Sequence, residues 1–125
     1  MIIDNVKFRD VETERYQKKS FLFAIEIVSL YKVLVDRKEF VLSKQLLRSG
    51  TSIGANIRES EHAQSKVDFI NKLSISLKEA NETEYWLDLL FETKFINLIE
   101  FENIKPKIIE LLKLLTSIIK TSKSK

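Results

Sequence analysis

RSGTSIGANIRES, residues 48–60, holds both glycines of the chain, Gly50 and Gly54, one helical turn apart. Apolar residues at helical spacing run into and through it, as Leu42, Leu46, Ile53 and Ile57. A glycine inside a helix costs about 1 kcal/mol relative to alanine. The stretch is therefore a phosphate-gripping loop, a hinge, or a helix that gives up stability for a close contact. A phosphate loop follows a strand and usually ends in Gly-Lys-Ser/Thr. No strand precedes Gly50 and no such triplet follows Gly54. The unbroken spacing through Ile53 and Ile57 argues against a hinge. Close packing remains, and it makes this segment one helix of a bundle.

Composition agrees. The 125 residues form one domain, with 44% hydrophobic and 31% charged residues. Two glycines and one proline leave few turns, which favours a few long helices over a sheet. The absence of cysteine excludes disulfides, thiol catalysis and zinc–thiolate sites. The start, MIIDNVKFRD, lacks the pattern of a secretory signal, and no apolar run reaches the roughly 18 residues of a membrane span. A cytoplasmic protein without membrane contact is expected.

Four amphipathic segments follow, at about residues 11–37, 40–63, 66–94 and 104–121. The first places Phe21, Ala24, Ile25, Val28, Tyr31, Leu34 and Val35 on its core face, and Phe23, Ile27, Leu30 and Val33 widen that face. Ser65 with Asp68 reads as the cap of the third segment. Asn97 and Asn103 are candidate turn or cap residues. Pro106 fits the first turn of the fourth segment, which then runs through Ile108, Leu111, Leu115 and Ile119. Residues 122–125 read as a disordered tail. The expected fold is all-α, an antiparallel up-down-up-down four-helix bundle over residues 1–125. The first and fourth helices carry more apolar surface than one stripe, at Phe23 and Ile27 and at Ile109 and Leu114. That surplus points to burial against other copies.

A hairpin of the second and third helices sets Gly50 and Gly54 opposite Ser74 to Lys78, beside the small residues Ser76 and Ala80. Contact with a second subunit is the alternative. Gly50, Gly54, Ser49, Ile53, Asn56 and Ile57 are the packing or interface candidates.

Little in the chain suggests catalysis. Glu59-x-x-His62 has the spacing of a di-iron ligand pair, but His62 is the only histidine, so a complete intrachain site is impossible. Glu79, Glu82 and Glu84 scatter around the helix and read as a solvated face. Tyr85 and Trp86 read as packing residues. No enzyme activity, metal or cofactor is expected. Six lysines from Lys105 onward face one acid, Glu110, and suit either an acidic partner or the dipole of a C-terminal helix. Lys44, Arg48, Arg58, Lys120 and Lys123 are the candidate nucleic-acid contacts. For Arg48 an ion pair with Glu79 and Glu82 competes.

The stretch from Lys44 to Leu90 resembles a bacterial family of small four-helix-bundle proteins encoded in intervening sequences of 23S ribosomal RNA genes. The matching elements are Arg48-Ser49, Ser52-Ile53, Asn56-Ile57, Glu59, Ser65, Phe69, Leu73 and KEANETEYWL. Arg58-Glu59-Ser60 departs from the Ala-Glu-Gly of many relatives. The resemblance implies a homopentamer. A related accessory protein of diversity-generating retroelements is also a pentamer, with a basic surface that binds nucleic acid and a reverse transcriptase. The partners expected from these readings are further copies of the chain, RNA or DNA, and another protein.

Overall fold

The computed structural model describes the backbone of residues 2–124 and the side chains of residues 14–124. Four helices follow in order: α1 (Ile2–Asp36), α2 (Leu42–Ser60), α3 (Lys66–Glu92) and α4 (Leu98–Lys123). Contacts between neighbouring helices run in opposite directions. Ile27 meets Gly50 and Ser20 meets Gly54; Ser76 bonds Ile53 and Lys72 pairs with Glu59; Phe91 stacks on Phe101 and Glu84 pairs with Lys105; and Lys107 pairs with Glu26 while Glu110 pairs with Lys19. The bundle is thus antiparallel, in the order α1–α2–α3–α4, with α4 returning to α1 and α2 diagonal to α4.

The helix ends differ from expectation at several points. With no glycine or proline in residues 2–36, nothing stops α1, and it begins at Ile2 instead of residue 11. The start of α4 moves from 104 to Leu98. Asn97 accepts the Glu100 N–H at 2.8 Å and Glu100 accepts the Asn97 N–H at 2.8 Å, a capping box that sets the first turn. Pro106 therefore lies inside α4. It is exposed, so the Glu102 carbonyl left without its helical donor can turn to water. The expected disordered tail is helical through Lys123, and Ser124 closes the helix with its N–H on the Lys120 carbonyl; Lys125 lies outside the described residues. Ser65 caps α3 as expected, its hydroxyl accepting the Asp68 N–H at 3.0 Å.

Two helices stop without glycine. Lys38 and Lys94 both take a left-handed φ of 69°. At each, the following N–H reaches back five residues, Glu39 to Leu34 and Phe95 to Leu90, both at 2.9 Å. The lysine N–H reaches back three, to Val35 and Phe91 respectively. These are Schellman turns with lysine where glycine is usual. Glu39 then caps α2: its carboxylate, buried in the turn, accepts the N–H groups of Val41, Leu42 and Ser43.

The core face of α1 is rotated from the expected one. Tyr16, Ser20, Phe23, Ile27, Leu30 and Leu34 are buried, whereas Phe21, Leu22, Ile25 and Val28 are 54%, 50%, 49% and 36% exposed. Phe23 and Ile27, assigned above to contacts with other copies, belong to the core. Both stripes have helical spacing, so α1 is apolar on two sides and periodicity could not rank them. Ile109 and Leu114 of α4 are half-buried.

Candidate functional site

The glycines of α2 face α1, not α3. A Cβ on Gly50 would lie 2.9 Å from Ile27 Cγ1 and Cγ2; one on Gly54 would lie 3.3 Å from Ser20 Oγ and 3.4 Å from the Ser20 carbonyl oxygen. The α3 side of α2 uses other small residues. Ser76 donates to the Ile53 carbonyl at 2.8 Å, and Thr83 Oγ1 meets Ser49 Oγ at 2.9 Å. Every hydroxyl there is buried and bonded, so the close approach leaves no orphan. Ile53 and Ile57 are buried; Asn56 turns back to its own helix, donating to the Ser52 carbonyl at 2.9 Å. These residues build the fold.

Among the expected cation contacts, Arg48 is held internally. Its guanidinium bonds Glu82 and Glu79, and those bonds raise its pKa, Glu82 first and Glu79 second. The Trp86 indole donates to the same Glu82 carboxylate at 3.0 Å, and with Arg48 it holds Glu82 below the usual carboxylate range. The acids of α3 are therefore spent on neighbouring helices: Glu79 and Glu82 on Arg48, Glu84 and Asp88 on Lys105. Burial opposes the charge of Lys105, but the bonds to Asp88 and Glu84 outweigh it and its pKa rises. Arg37 similarly forks onto Glu100, at 2.8 and 2.7 Å, and lowers its pKa. Glu59 pairs with Lys72, and exposed His62 lies in the turn beyond α2, so that pair is no ligand set. Among the described residues no group of three or more His, Cys, Asp or Glu side chains could hold a metal ion.

The other four candidates divide between the two ends of the bundle. Lys44 sits in the first turn of α2, beside the α1–α2 turn. Arg58, Lys120 and Lys123 sit at the opposite pole, where α2 and α4 end and α3 begins. Arg15, Lys18, Lys66 and Lys113 lie in the same half. None of these seven cations is in an ion pair, and among the described residues the unpaired acids around them are Glu14, Glu61 and Asp68. Arg58 instead lies over the Phe21 ring, 5.7 Å from its centroid. Lys113 belongs to the lysine-rich end already visible in the sequence, whereas Arg15, Lys18 and Lys66 had no signal there, because their lack of partners depends on the helix register.

Beside this pole, α1 and α2 form a groove of about 420 Å³ whose lining includes Ser20, Phe21, Ala24, Gly54, Ala55 and Arg58. It continues into the exposed stripe of Phe21, Ile25 and Val28.

The profile of the 23S rRNA-intervening sequence proteins matches residues 12–117, nearly the whole of this bundle. The chain belongs to that family. It is also similar to a solved structure from Bacteroides thetaiotaomicron, described as a protein of unknown function from the S23 ribosomal protein family. The two share 61% identity over 87% of this chain and 98% of that one, with a TM-score of 0.85. No curated protein matches. In this family member no helix among the described residues is long and apolar enough to cross a membrane.

Proposed function

We propose that this chain is a non-enzymatic, cytoplasmic helical bundle that assembles with copies of itself, as a pentamer by the family resemblance, and binds RNA or other nucleic acid. The observation that supports it is the separation of two surfaces. An apolar stripe and groove on the α1–α2 flank suit another copy, and unpaired cations collect at one pole. In a ring with cyclic symmetry every copy holds that pole at the same height along the axis. Cations that are scattered in one chain then form a continuous basic rim facing phosphate.

The rim and the ring have separate tests. Fluorescence anisotropy with a structured RNA at rising salt gives a log–log slope of about −0.9 per phosphate neutralised on a B-DNA-like duplex, and a shallower one on single strands. Lys120→Gln/Lys123→Gln makes that slope shallower, and Lys44→Gln leaves it unchanged. Equal losses from both variants, or no binding at low salt, refute the rim. The latter result leaves a protein-interaction scaffold without nucleic acid, the reading favoured by the internal commitment of Arg48. Light scattering that finds only a 14.6 kDa particle at micromolar concentration refutes the ring.

A further inference from the structure

The pole opposite the basic one is apolar. The α1–α2 and α3–α4 turns lie side by side there, joined by Arg37, whose guanidinium reaches the Phe95 carbonyl at 2.7 Å and the Glu100 carboxylate. On these turns Phe40, Val41, Leu98 and Ile99 are 50%, 70%, 55% and 79% exposed. Four large apolar side chains at one end make a patch of the kind that marks an interaction site on a monomer.

Two helix N-termini, of α2 and α4, also open at this pole. Such ends ordinarily attract anions. Both are already closed by the chain's own carboxylates. Glu39 takes three N–H groups of α2, and Glu100 with Asn97 completes the capping box of α4. The two helix N-termini therefore have little donor capacity left for phosphate, and their backbone can be dried without orphaning those N–H groups. Charges around it have both signs: Lys38, Lys44 and Lys94 against Asp36, Glu92 and Glu102, all exposed and none in an ion pair. A mixed rim of this kind complements itself across a two-fold axis, which a single-sign rim does not.

We propose that this apolar pole docks against the same pole of a second copy, about a two-fold axis perpendicular to the bundle. The interface is separate from the α1–α2 flank. Where the flank closes a ring, a point that rests on the function proposed above, cyclic symmetry puts all the apolar poles on one face. Two rings then stack through those faces and leave the basic rims outermost on both sides.

The full chain tests this in sedimentation equilibrium, with circular dichroism as the check on folding. Val41→Glu/Ile99→Glu is expected to halve the wild-type mass while keeping its helicity, since both side chains are on the surface. Ile25→Glu, on the flank, is expected to leave particles of two chains. A second reading uses the absence of cysteine: Ile99→Cys treated with a short bis-maleimide gives covalent dimers, and Ile99→Cys/Val41→Glu gives none. Wild-type mass in the pole double variant, or no covalent dimer from Ile99→Cys, overturns the docking. Wild-type mass in Ile25→Glu refutes only the flank. The pole variant then still decides the pole.

Discussion

Gly50→Ala tests the account of α2 most directly, because two opposed effects of known size meet at one atom. Alanine returns about 1 kcal/mol of helix propensity. Its methyl would stand 2.9 Å from Ile27 Cγ1 and Cγ2 and 3.2 Å from Cδ1, where carbon contacts prefer about 3.5–4.0 Å. Ile27 is fully buried and β-branched, so turning χ1 moves one γ carbon away only by bringing the other in. The helices must part or the side chain must strain, and such overpacking costs about 1–3 kcal/mol. The net expectation is a loss of about 1 kcal/mol, or roughly 4 °C in the thermal midpoint. For Gly54→Ala the three nearest atoms all belong to Ser20, at 3.3–3.5 Å, so a shift of a few tenths of an ångström suffices and the two effects nearly cancel.

A double-mutant cycle separates contact from propensity. Ile27→Ala alone opens a cavity and costs about 2–5 kcal/mol. Combined with Gly50→Ala it costs less than the sum, since the new methyl fills part of that cavity and the clash is gone. A coupling of about 1–2 kcal/mol is expected. Urea unfolding followed by circular dichroism measures it, at one fixed protein concentration because assembly adds to apparent stability. Gly50→Ala stabilising by the full propensity gain, or additivity in the cycle, refutes the close-contact reading.

Three further outcomes follow from the geometry. Lys38→Gly and Lys94→Gly each relieve a left-handed residue and are expected to raise stability by about 0.5–1 kcal/mol in urea unfolding; a loss would mean the lysine side chains matter more than φ. Phe21→Glu is expected to lower the assembly mass in light scattering while leaving the helical signal intact, since the ring is 54% exposed in the single chain. Glu82 and Glu100 are held below the ordinary glutamate value of 4.5, Glu82 chiefly by the Trp86 indole and Arg48 and Glu100 chiefly by Arg37. Their stabilisation is therefore present above that value and is lost as pH falls through the lower folded value. Thermal midpoints should drop as pH falls below the usual carboxylate range, less steeply in Glu100→Gln, and an identical slope in that variant would refute the Arg37–Glu100 contribution.

Four helices and their antiparallel order were legible because apolar spacing survives for several turns in each segment. The α2–α3 register came close as well, since Arg48 does reach Glu79 and Glu82. Other features were hidden for identifiable reasons. The cap at Glu39 depends on a chain reversal set by a lysine at a position where glycine is the usual signal, and the Arg37 fork onto Glu100 joins residues far apart in sequence. Pro106 looked like a helix start because a proline that forgoes its bond on an exposed face carries the same local sequence as one in a first turn. The core face of α1 was undecidable while both of its faces were apolar. Only packing against Gly50 and Gly54 selects Ile27 and Ser20.

Register also explains how a formal charge of only +3 becomes a directional property. In sequence α3 looks acidic and the end of α4 basic, a contrast between segments. In the bundle the acids of α3 lie across from Arg48 and Lys105, Glu26 takes Lys107, and Glu100 takes Arg37, so the half toward the two chain reversals is nearly neutralised from within. Among the described residues, the half toward the end of α4 has two ion pairs, Glu59 with Lys72 and Glu110 with Lys19, and Glu14, Glu61 and Asp68 stay unpaired beside its remaining cations. Shifting α3 by one turn would bring its acids beside different cations and redistribute the surplus. The two poles are therefore consequences of the same interhelix pairs that fix the fold, and a substitution such as Glu82→Gln would leave the half-exposed Arg48 with Glu79 alone as its charged partner while weakening the α2–α3 contact. A gain in nucleic-acid affinity from that variant would thus report a cation freed from the fold, not a contact the native protein uses.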